Sequence, residues 1–343
     1  MLHEGLFYEK QNDRVKCMLC PHNCIIGDKK QGRCSVRTNK NGVLQSINYG
    51  EITSMAVDPV EKKPLYHFKP GRNILSVGSF GCNFSCSFCQ NYTIAQYRPK
   101  SQYVPPEELI ETCLNIKDNV GIAFTYNEPS IWYEYVYETS KKLKENHPEF
   151  SVVLVTNGYI EVEPLQKLLP YVDAMNIDLK AFNPKYYEKV CGGDVESVLK
   201  IISESAKKTH VEITTLLVNG LNDSALEVES IASYLGNLDK NIPLHLSRYF
   251  PTYKMDRPAT DIDVMVESRK IAKKHLNYVY LGNVMEAAHT LCPACGEVIV
   301  KRWGYDVDSK GILDGECRFC KRVIEGKYYS RETELDRFNG DEI

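Results

Sequence analysis

Between about Asn73 and Gly282, short apolar or β-branched runs alternate with longer segments of helical period. The short runs are Ile74 to Val77, Gly121 to Thr125, Ser151 to Thr156, Ala174 to Leu179, Val211 to Val218, Leu244 to Ser247 and Tyr278 to Leu281. Their length and continuous apolarity predict strands buried on both faces. Helices are predicted over Ile131 to Asn146, Val195 to Lys208, Leu226 to Leu238 and Asp263 to His275. The first opens after a Pro-Ser pair and ends in KKLKEN, which sets lysines where the helix dipole favours cations. Strand–helix alternation predicts a parallel sheet with helical crossovers. Seven strands suit a doubly wound sheet or a full or partial βα barrel, and periodicity does not choose between them.

In either architecture, ligands bind at loops leaving the carboxyl ends of the strands. Asn127 and Glu128 follow the second run, Asn157 and Gly158 the third, and Asp178 and Lys180 sit at the end of the fourth. A group of cysteines follows the first. Four successive strand ends are thus expected to aim chemistry at one rim.

Composition narrows the class. Of 343 residues, 43% are hydrophobic and 25% charged, an ordinary globular balance that argues against disorder. A net charge of −3 gives no broad attraction to phosphate backbones. No stretch approaches the roughly 20 apolar residues of a spanning helix, and the amino terminus lacks a signal peptide's apolar core. A soluble, cytoplasmic protein is expected.

Thirteen cysteines change the picture. Eleven fall in three groups: Cys17, Cys20, Cys24 and Cys34; Cys82, Cys86 and Cys89; and Cys292, Cys295, Cys317 and Cys320. An odd total and a reducing compartment disfavour a disulfide framework, whereas thiolates two or three residues apart converge readily on metal.

The central group reads GSFGCNFSCSFCQN, with spacing Cys-x3-Cys-x2-Cys. Three thiolates can hold three irons of a cubane and leave the fourth open, as a reaction centre requires. Gly78 and Gly81 allow close backbone approach to the cluster. The motif, with Phe88 before its last cysteine, resembles the signature of the radical S-adenosylmethionine (radical SAM) superfamily. The resemblance implies a partial (βα)6 barrel and a [4Fe–4S] cluster chelated by the methionine end of S-adenosylmethionine. It also implies reductive cleavage to a 5′-deoxyadenosyl radical that abstracts hydrogen from a substrate. Thr125-Tyr126-Asn127-Glu128-Pro129 stands where relatives carry Gly-Gly-Glu-Pro, with Tyr-Asn replacing the glycines. Asp178-Leu179-Lys180 matches the Asp-x-Lys motif of the pyruvate formate-lyase activating branch, Asn91 matches an asparagine of that branch, and Asn157 lies in a Thr-Asn-Gly motif at a strand end. Asn91, Asn127, Glu128, Asn157, Asp178 and Lys180 are therefore the expected cofactor contacts.

The carboxyl-terminal group forms two Cys-x2-Cys knuckles, Cys292/Cys295 and Cys317/Cys320, which predict a zinc-ribbon or rubredoxin-like module holding zinc or iron. In the amino-terminal group, Cys17, Cys20, Cys24 and Cys34 can close a zinc site or an auxiliary cluster. His22 is a substitute ligand, and the reading leans to zinc. The expected division is a Cys-rich segment at 1–45, the barrel at 46–287, the ribbon at 288–330 and a polar tail at 331–343.

All three groups together resemble the radical enzyme of the AmmeMemoRadiSam system. That implies Memo-like and AMMECR1-like partners, an electron donor such as ferredoxin or flavodoxin, and a protein, peptide or other macromolecular substrate, with glycyl-radical activation one form of the reaction. Alternatives are modification of RNA or a small molecule, or a non-enzymatic zinc-ribbon adaptor. Of the remaining residues, Cys113 falls at helical spacing with Leu109 and Ile116 and reads as core. Cys191, in KVCGGD, reads as a buried small hydrophobe or as a thiol acting on substrate. His245 reads equally as a cofactor contact or a hydrogen-bonded core histidine.

Overall fold

A computed structural model describes residues 3–328; the expected tail at 331–343 lies outside the described residues. Its centre is an eight-stranded sheet of β1 (Ser54–Pro59), β2 (Asn73–Gly78), β3 (Asn119–Phe124), β4 (Ser151–Thr156), β5 (Ala174–Asp178), β6 (His210–Leu217), β7 (Leu244–Arg248) and β8 (Val279–Gly282). β1 runs antiparallel to β2, and β2 to β8 are all parallel. Spatial order follows chain order without a reversal. A doubly wound sheet reverses its order at a switch point, so that alternative is excluded.

Successive parallel strands are joined through α1 (Pro106–Asn115), α2 (Tyr133–Asn146), α3 (Val162–Leu168), α4 (Val195–Ala206), α5 (Ala225–Asp239) and α6 (Ile262–Ala272). This makes six strand–helix units followed by β8 as a seventh parallel strand. Local chemistry sets the helix starts. Asp194 caps α4 by accepting from Ser197 N at 2.8 Å, and Asp261 caps α6 by accepting from Asp263 N at 2.8 Å. Pro106 with Glu107 and Glu108 opens α1. The strands β2 to β5 carry almost wholly buried runs, as strands covered on both faces must.

The expected boundary at 45/46 cuts through the strand Val43–Ser46 of a small amino-terminal sheet. This segment is packed onto α2, where the buried Arg37 pairs with the buried Glu134 at 2.8 Å. Its Val15, Cys17, Leu19, Cys20 and Ile26 belong to the same apolar core as the barrel strands.

The ribbon is equally continuous with the body. Arg302, in β9 (Val298–Trp303), is fully buried and donates to the Tyr66 carbonyl at 2.5 Å and to Thr290 at 2.7 Å. Thr290 in turn bonds Tyr280 of β8 at 2.8 Å. The ribbon therefore packs against both the segment after β1 and the last strand, the two edges of an open sheet.

Candidate active site

The loop after β2 carries Cys82, Cys86 and Cys89, and its backbone is tied on several sides. Asn127, following β3, accepts from Ser79 N at 3.0 Å and donates to the Gly81 carbonyl at 3.0 Å. The Ser85 and Ser87 amides donate to the carbonyls of Cys191 at 2.8 Å and Val190 at 3.2 Å. Asn83 donates to the Tyr159 carbonyl at 2.7 Å. Gly81 has φ +88°, and a Cβ there would stand 2.8 Å from the Cys34 carbonyl. Only glycine combines that backbone angle with that approach.

One cavity of about 510 Å³ opens at the carboxyl ends of the strands. Cys82, Cys86, Cys89, Asn91, Asn127, Glu128, Asn157, Asp178 and Lys180 all line it. Thr214 and Leu216 of β6, Ser247 of β7 and Asn283 after β8 complete the wall. Seven flat strands would span roughly 29 Å. All seven strand ends nevertheless share one cavity, and the Tyr66 ring in the segment after β1 stands 4.8 Å from that of Tyr280 on β8, so the sheet curls.

Several predicted contacts also hold the protein to itself. Glu128 is buried and accepts from Ser130 N at 2.9 Å, Thr156 Oγ1 at 2.6 Å and Asn157 N at 2.7 Å. These use three of the roughly four acceptor positions of a carboxylate. Burial raises the affinity of Glu128 for its proton, and these donors oppose that shift. Asn91 donates to the Tyr126 carbonyl at 2.6 Å. Asn157 directs its amide nitrogen at Cys82 Sγ, 3.7 Å away, and at Asn83 Oδ1, 2.8 Å away.

Asp178 and Lys180 form an ion pair at 2.8 Å. Burial works against the Lys180 charge, but Asp178 and then Cys86 lift its pKa well above the ordinary lysine value. The site thus presents an adjacent anion and a fixed cation, a match for an amino acid's ammonium and carboxylate.

Sequence reasoning missed the opposite wall. Asp58 at the end of β1 binds Lys62 and Lys63, each at 2.7 Å, and accepts from the Tyr126 hydroxyl at 2.7 Å. Lys62, Lys63 and Tyr126 line the cavity, as does Tyr305 from the ribbon. Tyr126 has φ +71°, the left-handed backbone that favours glycine. Its side chain is held by the Asp58 hydrogen bond and by Lys63, whose ammonium lies 4.9 Å from the ring centre. A Glu-Lys-Lys sequence near a strand end carries no distinctive signal for such a role.

The cysteine chemistry fits a bound cluster. Burial raises the Cys82 thiol well above its ordinary value and Cys89 to about 11. One buried and two half-buried thiolates so close together need a compensating cationic centre, which iron would supply. The cavity lies within the usual 300–1,000 Å³ range for small-molecule sites.

The flanking groups differ in geometry. Among the described residues, Cys292, Cys295, Cys317 and Cys320 bring all four sulfurs within 4.8 Å of one another. Cys292 to Cys320 is 3.6 Å and Cys295 to Cys317 is 3.7 Å. A tetrahedral ion with 2.3 Å metal–sulfur bonds separates its sulfurs by about 3.8 Å, so this set could hold one metal ion. Cys17, Cys20, Cys24 and Cys34 surround a common small pocket without closing to that distance. His22 borders the same pocket, but its Nε2 is engaged by the Asn83 carbonyl at 2.8 Å.

His245 is absent from the cavity wall. It is buried against Glu212, with Nε2 to Oε2 at 2.7 Å, so the core reading holds and the cofactor contact does not. The reason is depth. His245 shares a strand face with Ser247, which does line the cavity, but lies about 6.6 Å further down β7. Cys113 is fully buried, with Sγ 3.1 Å from Asn119 Nδ2, as a core residue should be. Cys191 is fully buried at the end of a π-helical turn, Tyr187–Cys191, outside the cavity wall. Its thiol stands beside Cys86 and draws the Cys86 pKa below the ordinary thiol value.

Residues 76–231 match the Radical SAM superfamily. An uncharacterised protein of Methanocaldococcus jannaschii is 43% identical over 332 residues, covering 93% of this chain and 97% of the relative. The GTP 3′,8-cyclase of Nautilia profundicola is 26% identical over 199 residues, 57% of this chain and 61% of that protein. A domain of a pyruvate-formate lyase-activating enzyme from Bacteroides vulgatus aligns with TM-score 0.40 and 20% identity, over 48% of this chain and 99% of the domain.

Proposed function

The chain belongs to the radical SAM superfamily, and on that premise we propose that Cys82, Cys86 and Cys89 hold the [4Fe–4S] cluster at which S-adenosylmethionine is cleaved. A cluster held there would supply one electron for reductive cleavage of the cofactor's sulfonium to methionine and a 5′-deoxyadenosyl radical. The protein's part is placement. Asp178 and Lys180 meet the ammonium and carboxylate of the methionine moiety, with Asn91, Asn127, Glu128 and Asn157 shaping the pocket around it. The single observation that carries this reading is the convergence of all nine residues on one cavity.

Hydrogen abstraction from a protein, peptide or other macromolecule is the favoured reaction, with glycyl-radical activation one form of it. The motifs at Cys17, at Thr125 to Pro129 and at Cys292 support assignment to the AmmeMemoRadiSam system. Memo-like and AMMECR1-like proteins are then the partners to try first, with a ferredoxin or flavodoxin as electron donor. Zinc is the favoured ion for the ribbon, since a closed tetrathiolate suits it. No helix among the described residues is long and apolar enough to cross a membrane, and the thiol-rich chain suits the cytoplasm.

The test is anaerobic purification with iron, zinc and sulfide counts, followed by dithionite and S-adenosylmethionine. The wild type should form 5′-deoxyadenosine, and Cys86→Ala should abolish it. Zinc at Cys82, Cys86 and Cys89, or a cubane already capped by a fourth side chain, would refute the reading.

A further inference from the structure

The amino-terminal cysteines bear on a second site, outside the cavity of the proposed reaction. Cys17, Cys20, Cys24 and Cys34 come from a strand end, the turn after it and a later loop, yet all border one small pocket. Three of them are buried, and Leu19, Ile26 and Ile131 supply apolar walls. We infer that this pocket holds a second [4Fe–4S] cluster, ligated by all four cysteines, rather than the zinc ion that spacing alone favoured.

Two independent observations carry the inference. The first is the spread of the sulfurs. A single tetrathiolate ion requires sulfurs about 3.8 Å apart, and the ribbon cysteines meet that requirement. Among the described residues, no three possible ligands around the amino-terminal pocket lie within 4.8 Å of one another. Among the described residues, Cys82, Cys86 and Cys89 likewise do not close to 4.8 Å. In a cubane each cysteine binds a different iron, which holds the sulfurs roughly 6 Å apart. The amino-terminal set is thus more open than the single-ion geometry of the ribbon and, on the proposed reading of Cys82, Cys86 and Cys89, groups with the cubane.

The second observation is Arg37. It borders the pocket and is 1% exposed. Its Nη1 pairs with Glu134 at 2.8 Å, but Nε and Nη2 have no hydrogen-bond partner among the described residues. Buried donors left without acceptors are costly. A cubane with four thiolates is anionic, and its sulfurs accept hydrogen bonds. The guanidinium therefore finds in the occupant the acceptors that the protein does not supply. Little free space is needed, because iron–sulfur bonds of about 2.3 Å lie far inside van der Waals contact.

The two cysteine sites share a wall. The Cys34 carbonyl packs against Gly81, the residue before Cys82, and His22 bonds the carbonyl of Asn83, the residue after it. Substitutions must therefore be read at both sites.

Iron, zinc and acid-labile sulfide are counted, with Mössbauer spectra, on the full chain purified and reconstituted anaerobically. The wild type should carry about eight irons and eight sulfides in cubanes. Replacing Cys82, Cys86 and Cys89 together by alanine should leave about four of each, with the cubane spectrum retained. Adding Cys20→Ala and Cys24→Ala should remove the remainder. Arg37→Lys should keep the iron but lower the reduction potential of the retained cluster, because fewer donors reach its sulfurs. A wild type with about four cubane irons and an extra zinc would overturn the inference without needing any variant to fold. Failure of the proposed reaction centre looks different: cubane iron would then be insensitive to the triple substitution.

Discussion

The side-chain nitrogen of Asn157 stands 3.7 Å from the sulfur of Cys82, and its oxygen accepts from Tyr159 N at 2.8 Å, so the amide is fixed with its donor toward the thiol. Outer partners of this kind orient metal ligands, and their loss commonly costs about 10- to 100-fold in affinity or activity. Asn157→Asp exchanges that donor for an acceptor and adds negative charge. The variant should retain its iron, show a lower cluster reduction potential in an EPR-monitored titration, and form 5′-deoxyadenosine at least about tenfold more slowly. An unchanged potential would dissociate Asn157 from the Cys82 sulfur.

Lys180 is held charged inside the cavity wall by Asp178 and Cys86. Lys180→Met keeps the length of the side chain and removes the cation. Cofactor affinity should fall at least about tenfold, or about 1.4 kcal/mol, with iron content unchanged. Anaerobic equilibrium dialysis of the cluster-loaded protein measures it. Equal affinities would remove Lys180 from the carboxylate contact.

Gly81→Ala would force a Cβ to 2.6 Å from Val36 Cγ1 and 2.8 Å from the Cys34 carbonyl, at φ +88°. Strain and overpacking together should lower stability by about 2–4 kcal/mol and shift the urea midpoint downward. Gly296 is the control: its φ is +77°, but nothing lies within 4 Å of a Cβ there. Gly296→Ala should cost only about 1–2 kcal/mol. Equal midpoints for the two variants would show that the contact with the amino-terminal segment contributes nothing.

Under the barrel, His67 is fully buried between Tyr280 and the ribbon, with Nε2 to the Tyr280 hydroxyl at 2.7 Å. Burial depresses its pKa to about 4. An unfolded histidine titrates near pH 6.5, so the unfolded chain takes up this proton first as pH falls. The stability contribution is complete above pH 6.5 and is lost as pH falls toward 4, by about 3 kcal/mol at most. The nearby Glu212, held low by His210 and His245 against its burial, adds a loss of the same sign at more acidic pH. His67→Asn should flatten the slope of unfolding free energy between pH 6.5 and 4 relative to wild type. Parallel slopes would exclude His67 as the titrating group.

Much of the site was legible because its determinants are local. Cys82, Cys86 and Cys89 lie on one loop, and Asn127, Glu128, Asn157, Asp178 and Lys180 each sit at or just past the end of an apolar run that reads as a strand. Parallel strands place their carboxyl ends together, so chain position alone predicts the shared cavity. By contrast, β1 with Asp58 was missed, since it is an edge strand whose Met55, Ala56 and Val57 are exposed and whose one buried residue is the charged Asp58, so it carries no long apolar run.

The sequence determined which residues carry chemistry and that the strands are parallel, because residue type and period are properties of short stretches. Only the tertiary structure decided the curl of the sheet, the depth of His245 beneath Ser247, the closure of Lys63 and Tyr126 around Asp58, and the contact of Cys34 with Gly81. These depend on the distance between segments far apart in the chain, set by packing of the whole core. The same holds for the two four-cysteine groups: spacing makes both look like closed metal sites, and only the separation of their sulfurs tells them apart.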